Sequence, residues 1–511
     1  DCLLSRGLGD VYKRQIMKCK TVKSEFGRIQ CILLALFTLC FASCRDEEEK
    51  QIEPYDPSKP VEITDFTPDS GGGDTYIVVY GKNFGTDTSL LKLTVGGKPA
   101  KVISVLGDYM YAIVPQKAFK GNFVLTVGKG EDAQTVEAEK QFDYKRQLVV
   151  SNLCGETDDK GHYEIKNGPF DDCGGIDEPT WFSFDPENKH ILYLAQDEGS
   201  KPIRVLDLKN QRIYSNTQFS IERPRTITWT LGKDGIRDTM IIASDRGGDR
   251  DVNNWYLVRD RSKPVHEAFN VTPQPLMEGK NCNGSAIHPV NGELYYNSFA
   301  LGDVFRFDYR NAWDPDRKVF DYTKREKLFS IQDVNWEFNM VIHPTGRYAY
   351  IVVVNKHYIM RTDYDNVRKK FGVPYLFCGS VGNAAWEDGT GDKARLNTPY
   401  QGVFVKNKKY VENNNEDEYD FYFTDRMNHC IRILSPEGSV TTFAGRGSSA
   451  LNSNPYGYVN GALREKARFD RPSALAYDEE TETFYIGDWM NHRIRKIALE
   501  EGDETSEEVN N

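Results

Sequence analysis

FTDRMNHCIRI (residues 423–433) and IGDWMNHRIRKI (residues 486–497) decide the fold of this chain. Each segment predicts a strand, then a polar turn with Asp-x-x-Asn-His, then a strand with alternating apolar residues. A Gly-rich segment that ends in proline precedes each one, DGTGDKARLNTP (388–399) and NGALREKARFDRP (460–472). Two copies of one pattern indicate an internal repeat, so each copy is one unit of a larger architecture.

Weaker copies of this pattern extend back to residue 176. Inner strands are predicted near Trp181, Ile227, Ala286, Met340, Gly402 and Ala474. Second strands are predicted at 191–195, 240–243, 294–297, 349–353, 421–424 and 484–487, and third strands at 203–206, 255–258, 304–307, 358–361, 430–434 and 493–497. Asp197 and Asp245 are interpreted as retaining the acid that follows the second strand, whereas Ser298 and Asn355 replace it. Six four-stranded units of this kind predict a six-bladed propeller.

The last unit has only three strands of its own. An unassigned apolar strand, residues 147–151, stands just before the first unit. We predict that it pairs with residues 493–497 and closes the ring, because closure leaves no exposed inner sheet edge.

The two well-formed copies resemble the core of the NHL repeat. The resemblance implies an NHL-type β-propeller over residues 145–499.

A separate β segment covers residues 60–144. Its strands are predicted at 75–80, 91–95, 101–106, 109–114 and 122–127, with glycine in the intervening turns. ITDFTP (63–68), GKNFG (81–85) and VP (114–115) resemble an IPT/TIG domain of immunoglobulin-like fold. The predicted fold class is therefore all-β, an immunoglobulin-like IPT/TIG sandwich followed by a six-bladed NHL-type β-propeller. The 12% aromatic content, with 42 Gly and 22 Pro, agrees with many short strands and tight turns.

The N-terminal region predicts the cellular location. Residues 1–16 are interpreted as non-native read-through, and residues 17–43 as a signal peptide with a basic start and an apolar run at 31–41 that is too short to span a bilayer. Phe41-Ala42-Ser43-Cys44 resembles a bacterial lipobox, which makes Cys44 the lipidation site. RDEEEK follows, within an acidic tether at 44–59, and resembles the export signal of surface lipoproteins in Bacteroidota. A merely solvated acidic linker is the alternative.

The full chain resembles IPT/TIG plus NHL lipoproteins of gut Bacteroidota, many of them encoded near polysaccharide-utilisation genes. We therefore expect an outer membrane lipoprotein exposed on the cell surface, whose only membrane attachment is the lipid anchor. Residues 500–511 are predicted to form an acidic tail.

Charge and cysteine content limit the partners. The formal net charge of -11 becomes -15 once residues 1–43 are removed, and so acidic a chain is a poor ligand for nucleic acid. Cys154 and Cys173 could form a disulfide in an oxidising compartment, although the spacing leaves the pairing open. No cofactor and no metal site are predicted. Asp425, Asn428, Asp488 and Asn491 are predicted to hydrogen-bond across turns rather than bind a metal.

The candidate binding site is the end of the propeller channel where the inner strands begin. The predicted site residues are Glu178, Thr180, Trp181, Arg223, Arg225, Asn281, Asn283, Trp336, Glu337, Asn339, Tyr400, Gln401, Arg471 and Ser473. Amides pair with sugar hydroxyls, Arg binds carboxylates, and indole rings cover the apolar face of a pyranose. These residue types favour a carbohydrate ligand. The alternative is that Trp181 and Trp336 only fill the channel.

The leading prediction is a non-enzymatic, surface-anchored glycan-binding lipoprotein, with partnership with an outer-membrane transporter left open. A glycan-active hydrolase or lyase that uses paired carboxylates such as Glu178 and Glu337 is the first alternative. A cell-surface adhesion or scaffold protein is the second.

Overall fold

The computed structural model describes residues 53–158, 160–197, 202–218, 221–230, 238–248, 251–298, 302–317, 319–331, 337–447 and 454–501. The predicted fold class is confirmed, because these residues form an all-β structure with a sandwich followed by a propeller. Among the described residues, no helix is long and apolar enough to cross a bilayer.

The sandwich packs two antiparallel four-stranded sheets against each other. In spatial order, one sheet contains Glu62–Thr67, Tyr76–Lys82, Tyr109–Ile113 and Lys101–Leu106, and the other Lys98–Pro99, Leu91–Val95, Phe123–Val127 and Gln134–Glu137. Ser70–Gly71 pairs in parallel with Asp143–Tyr144 at the end nearest the propeller in sequence. Alternate residues of the strands, such as Ile77 and Val79, point into a shared apolar core, which is the pattern that the sequence predicted.

Six antiparallel units of four main strands form the propeller in the described residues. Blade 1 contains Pro179–Phe184, Ile191–Gln196, Arg204–Asp207 and Arg212–Ser215; blade 2 contains Pro224–Trp229, Thr239–Ser244, Val252–Val258 and Gln274–Glu278; blade 3 contains Ser285–Ile287, Leu294–Ser298, Asp303–Phe307 and Glu326–Ser330. Blade 4 contains Phe338–Ile342, Tyr348–Val353, Tyr358–Asp365 and Tyr375–Gly379; blade 5 contains Pro399–Lys406, Tyr419–Asp425, Cys430–Leu434 and Ser439–Gly445; blade 6 contains Pro472–Asp478, Thr483–Asp488, Arg493–Leu499 and Leu148–Cys154.

Short elements decorate this framework. Two-residue strands are Gly168–Pro169, Trp313–Asp314, Val319–Phe320, Lys370–Phe371, Gly389–Thr390 and Gly461–Ala462. The described helices are Thr88–Leu90, Gly130–Asp132, Val265–Glu267, Tyr309–Asn311, Tyr322–Lys324, Val354–Lys356, Gly391–Lys393, Lys408–Glu412, Arg426–Asn428 and Trp489–Asn491.

The ring closes through the strand that the sequence assigned to it. Leu148–Cys154 pairs antiparallel with Arg493–Leu499, with Val150 opposite Ile497 and Ser151 opposite Lys496. Inner strands of neighbouring blades contact each other around the whole ring, including blade 6 with blade 1. We call Leu148–Cys154 the closing strand.

The sandwich contacts the propeller beside the closing strand. The hydroxyl of Tyr144 donates to the carboxylate of Glu500 at 2.7 Å, and Lys466 forms an ion pair with Asp74. The sandwich therefore contacts blade 6, the blade that needs a strand from outside the repeat.

Candidate functional site

The chain turns into each inner strand through a sharp corner at one end of the channel. Corner residues Glu178, Arg223, Asn281, Thr398 and Arg471 have φ of 34°, 49°, 39°, 60° and 56°. Positive φ is uncommon for residues other than glycine, so its recurrence in five blades shows that the repeat imposes this backbone shape. Glu337 is the corner of blade 4, because its carbonyl accepts from Val354 N as the carbonyl of Glu178 accepts from Asp197 N.

The residue two positions beyond each corner lies at the mouth of the channel. Register shifts at the start of the inner strands, for example between Pro179 and Trp181, mark the bulges that redirect these side chains. All six of these residues are less than a tenth exposed. This set, which we call the mouth ring, is Thr180, Arg225, Asn283, Asn339, Tyr400 and Ser473.

Arg225 is the charged centre of the mouth ring. Its guanidinium donates to Asp197 Oδ2 at 2.6 Å, to Asp245 Oδ2 at 2.8 Å and to the Tyr400 hydroxyl at 3.3 Å, and it lies 3.9 Å from Glu337 Oε1. Burial lowers the pKa of Arg225, but these neighbours raise it further, so the pKa stays well above its usual value. Burial also raises the pKa of Tyr400 to about 12, which keeps its phenol protonated.

The carboxylate of Asp245 accepts hydrogen bonds from three residues of the mouth. Besides Arg225, it accepts from Arg223 Nη2 at 3.0 Å and from the side-chain amide of Asn281. Arg223 also approaches Asp197, with 3.6 Å between Nε and Oδ1. The charged side chains of blades 1 and 2 therefore neutralise each other before any ligand is present.

Three cavities lie around this network. A cleft of about 240 Å³ is lined by Arg223, Arg225, Asp245, Asn281, Asn283, Glu337 and Asn355. A cavity of about 10 Å³ beneath it is lined by Trp181, Arg225, Asn283, Glu337, Phe338, Asn339, Val354 and Tyr400. Another of about 10 Å³, on the side of blades 1, 5 and 6, is lined by Glu178, Pro179, Thr180, Asp197, Tyr400, Arg426, Ser473 and Trp489. The cleft is the part of the mouth with room for a ligand, because each small cavity has room for about one water.

The structure thus brings most of the predicted site residues together. Glu178 and Glu337 line different cavities, with Tyr400 in the wall of both. A glycosidase needs its two carboxyl groups on either side of one bond in one pocket. Burial lowers the pKa of Arg426 and both carboxylates raise it, so both lie within electrostatic reach of one guanidinium at the mouth.

Gln401 does not line the mouth, and its inclusion in the site is corrected. Its Oε1 accepts from the backbone N–H groups of Phe182 at 2.8 Å and Leu475 at 2.9 Å, and its Nε2 donates to the Phe182 carbonyl at 2.8 Å. The side chain points sideways into the neighbouring inner strands. It therefore links blade 5 to blades 1 and 6 instead of facing the channel.

Other predicted residues also have structural roles. The hydroxyls of Thr180 and Ser473 donate to the carbonyls of Pro224 and Pro179 in the next blade. Trp181 is 8% exposed and packs in the core between blades 1 and 2, which leaves little indole surface for a sugar. The guanidinium of Arg471 lies 5.7 Å from the ring centre of Trp489. Trp336 lies outside the described residues.

The repeated Asp-x-x-Asn-His turns are structural, as predicted. Asp425 accepts from Asn397 N at 2.7 Å, from the Asn428 amide at 2.8 Å and from Arg432 Nη1 at 2.9 Å. Both Asp425 and Arg432 have fully buried side chains. The sequence pattern identified the acid and the amide, but the partner is an arginine seven residues later on the third strand.

Blade 6 repeats this arrangement. Asp488 accepts from Asp470 N at 2.8 Å, from the Asn491 amide at 2.7 Å and from Arg495 Nη1 at 2.8 Å. Burial raises the pKa of Asp488 to about 6, while Arg495 acts in the opposite direction. The carboxylate–guanidinium pair is thus a buried internal element of each NHL-type blade.

The histidine of the motif connects neighbouring blades. His429 has φ of 56°, and its Nδ1 accepts from the backbone N–H of Arg471 at 3.2 Å. His357, which the sequence analysis did not connect with the motif, accepts from Thr398 N at 3.0 Å in the same way. His357 and His429 therefore fix the corners of blades 5 and 6.

The interpretation of Asp197 and Asp245 as counterparts of Asp425 was wrong by one position. In blade 1 the residue equivalent to Asp425 is Gln196. Its Oε1 accepts from Asp177 N at 3.1 Å, as Asp425 accepts from Asn397 N in blade 5. Asp197 is the next residue and corresponds to Arg426. A shift of one residue along a strand turns a side chain to the opposite face. The two acids therefore point to the channel mouth, where they bind Arg225.

Four mouth residues were absent from the predicted site, namely Asp197, Asp245, Arg426 and Trp489. The guanidinium of Arg426 lies 3.9 Å from the Trp489 ring centre and 5.5 Å from that of Tyr400. No fixed spacing from the inner-strand prolines marks these four positions, because the connections between first and second strands differ in length.

The thiols of the described residues are all free. Cys154 and Cys173 are buried in one core cluster, and a hydrogen bond between the two side chains raises the pKa of Cys154 and lowers that of Cys173 to about 7. Among the residues placed by the structure, no group of His, Cys, Asp and Glu side chains has the arrangement of a metal site.

An immunoglobulin-like domain joined to a six-bladed propeller with NHL-type repeats defines the class of this protein. The model of the IPT/TIG domain family matches residues 60–144. A 114-residue segment is 29% identical to NHL repeat-containing protein 2 of Gallus gallus, and it covers 22% of this chain and only 13% of that protein.

The solved structures that match 88% of the chain include three crystal structures of Bacteroides proteins with more than a third of their residues identical. An auxiliary nutrient binding protein from Bacteroides thetaiotaomicron VPI-5482 is 43% identical, with a TM-score of 0.77 and 100% of that chain covered. A putative phosphatase from the same strain is 41% identical (TM-score 0.77, 99% covered), and an auxiliary nutrient binding protein from Bacteroides ovatus ATCC 8483 is 36% identical (TM-score 0.63, 100% covered). The chain belongs to the family of these Bacteroides proteins.

Proposed function

We propose that the protein is a surface-anchored lipoprotein that binds a carbohydrate nutrient at the mouth of its propeller without chemically changing it. In this proposal the propeller is the binding head, and the IPT/TIG domain separates it from the membrane. A transporter in the outer membrane would receive the captured glycan.

The observation that carries the proposal is the cleft beside the mouth ring. Three asparagines, two arginines and two carboxylates line about 240 Å³ of space, and convergent polar side chains in a concave site are typical of small-ligand recognition. Asp245 is held by Arg223 and Arg225, so it is not disposed to act as a general acid or base.

The similar proteins support nutrient capture. Two of the three Bacteroides structures are described as auxiliary nutrient binding proteins, and the present chain covers each of them fully. Carbohydrate as the nutrient rests on the amides of the cleft, which pair well with hydroxyl groups.

Binding is tested by isothermal titration of the purified chain against a panel of plant and host polysaccharides. We expect binding of at least one polysaccharide, and a loss of about tenfold or more in affinity in Arg223→Gln, because this half-exposed side chain forms the rim of the cleft. Arg347→Gln is the matched control, since Arg347 follows the turn at the opposite end of blade 4 and lines a different cleft. An equal loss in both variants would contradict the proposed site.

The anchor is tested separately in cells. Cys44 lies outside the described residues, so its role rests on the lipobox-like sequence alone. We expect the native protein to partition with outer membranes and to be cleaved by protease added to intact cells, and Cys44→Ala to lose the membrane association. A Cys44→Ala protein that remains in the membrane fraction would overturn the anchor.

Phosphatase activity is the second candidate function, because a similar structure is described as a putative phosphatase. A phosphate group would require free guanidinium groups, whereas Arg225 is engaged by Asp197 and Asp245. We expect no hydrolysis of p-nitrophenyl phosphate above the level of the Arg225→Gln variant. Turnover that depends on Arg225 would favour the phosphatase.

A further inference from the structure

The side-chain amide of Asn283 is buried in the mouth without a hydrogen-bond partner. The residue is only 6% exposed, yet neither Nδ2 nor Oδ1 has a partner, and it lies in the wall of both the cleft and the small cavity beneath it. Oδ1 of Asn339, in the same small cavity, also lacks a partner, although its Nδ2 donates to Tyr400 O at 3.1 Å. Proteins pair nearly all buried polar groups with protein atoms or water, so these atoms are open to a water or to a ligand group that enters the cleft.

The arginines of the cleft are already paired with carboxylates. Arg223 and Arg225 lie against three of them, Asp197, Asp245 and Glu337, and donate to Asp245 at 3.0 and 2.8 Å. These side chains therefore carry no excess positive charge. An anionic ligand would have to displace a carboxylate from a guanidinium, which exposes an unpaired charge in a buried site. The electrostatics of the cleft therefore disfavour a uronic acid or a sulfated sugar.

The chemistry of the Asn283 amide limits the partner group to one that both donates and accepts. An asparagine side chain presents a donor and an acceptor side by side, and a hydroxyl group can both donate and accept. A carboxylate can only accept and an ammonium can only donate, so neither satisfies both atoms of Asn283. Neighbouring hydroxyl groups on one sugar ring satisfy both.

We infer that the cleft binds one uncharged sugar unit through neighbouring hydroxyl groups, with Asn283 as the residue that determines this specificity. The inference rests on the proposed carbohydrate function and narrows its ligand to neutral glycans. The volume of about 240 Å³ is slightly below the ~300 Å³ at which pockets for drug-sized ligands begin, and it suits one ring with the rest of the glycan outside.

The test compares two panels of probes on the full chain. The neutral panel contains oligosaccharides of glucose, mannose, galactose and xylose, and the acidic panel contains oligogalacturonides and sulfated glycosaminoglycan fragments. Affinities are measured by isothermal titration at low and high ionic strength. We expect a neutral probe to bind with an affinity that changes less than about twofold with salt, because no net charge is exchanged.

Two substitutions then examine Asn283. Asn283→Leu keeps the size and removes both polar atoms, and we expect it to weaken neutral-sugar binding by about tenfold or more. Asn283→Asp keeps the shape but leaves only acceptors, so we expect a similar loss. Asn415→Leu, in the cleft at the other end of the blades, is the matched control and should bind as the native protein does. Thermal unfolding of each variant separates a lost contact from a lost fold.

The outcomes separate the inference from the function on which it rests. Tightest binding of an acidic probe, with affinity that falls steeply as salt rises, would overturn the neutral-sugar inference and leave the carbohydrate function standing. Unchanged neutral binding in folded Asn283→Leu and Asn283→Asp would also overturn it. Failure of every probe in both panels to bind would overturn the function as well.

Discussion

Blades 5 and 6 differ from blades 2 to 4 in what their polar side chains do. In blades 5 and 6 the motif is intact, and its acid pairs with a buried arginine inside the blade, as Asp488 does with Arg495. In blades 2 to 4 the motif has decayed, and these blades supply the cleft and the unpartnered amide of Asn283. Blades 5 and 6 form the regular half of the propeller, and the irregular half, blades 2 to 4, lines the cleft of the proposed site.

This difference agrees with a general expectation about natural sequences. Positions that satisfy every local rule contribute to stability, whereas departures from the rules concentrate at functional sites. The most conspicuous motif in this sequence therefore identifies the fold but does not identify the binding residues.

The largest expected effect is on the stability of the regular half. Asp488→Ala leaves Arg495 as an unpaired buried charge, and we expect a loss of about 3–5 kcal/mol in the free energy of unfolding. Urea unfolding followed by tryptophan fluorescence measures it well, because all seven tryptophans belong to the propeller segment. Asp478→Ala, on the exposed turn of the same blade, is the control. A comparable loss in this variant would show that the buried pair contributes no more to stability than an aspartate at a surface turn.

A somewhat smaller loss is expected where blade 5 joins blades 1 and 6. Gln401→Leu removes three hydrogen bonds and leaves backbone groups of Phe182 and Leu475 without partners, which costs about 2–4 kcal/mol. The same unfolding experiment applies, with the exposed Gln274→Leu as a control expected to change stability by less than about 0.5 kcal/mol. If Gln401→Leu were as stable as the control, the hydrogen bonds of Gln401 to the neighbouring blades would not contribute to the stability of the propeller.

The irregular half predicts a change of opposite sign. Asn283→Leu replaces an unpartnered buried amide with an apolar group, so we expect stability to be unchanged or higher by up to about 1 kcal/mol. Asn428→Leu in blade 5 is the matched contrast, because its amide donates to Asp425 and to the Ala385 carbonyl, and it should lose stability. Thermal unfolding of both proteins, side by side, measures the sign. Equal losses would show that the two halves do not differ.

The smallest effect is a pH dependence of the regular half. Burial raises the pKa of Asp488 to about 6, above the value of about 4 for an aspartate in the unfolded chain, although Arg495 offsets part of the shift. Between these values the native state holds a proton that the unfolded state has released, so this contribution to stability falls as pH rises. We expect the stability of the native protein relative to Asp488→Asn to decrease from about pH 4 to about pH 7, as measured by urea unfolding. A relative increase would mean that the folded pKa lies below the unfolded one.

The strands and the ring closure were predictable, because apolar alternation and Gly or Pro turns directly reflect the β fold. The mouth ring was partly predictable, since a repeat places equivalent residues at equivalent corners. Gln401 was wrongly placed because a sequence does not show whether a side chain at the mouth points into the channel or across to a neighbouring strand. Asp197 was misaligned because it is an acid directly after Gln196, and the sequence does not show that Gln196, opposite Pro179, is the counterpart of Asp425, opposite Pro399.

The origin of the closing strand has a consequence for how the protein folds during synthesis. Leu148–Cys154 leaves the ribosome well before its partner Arg493–Leu499, because the whole of the repeat region lies between the two strands. Nascent chains fold from the N-terminus, and contacts between distant segments form slowly. The closing strand must therefore wait with an unpaired edge until Arg493–Leu499 has been synthesised, and chains that terminate before residue 493 would retain that edge, which could pair with other chains.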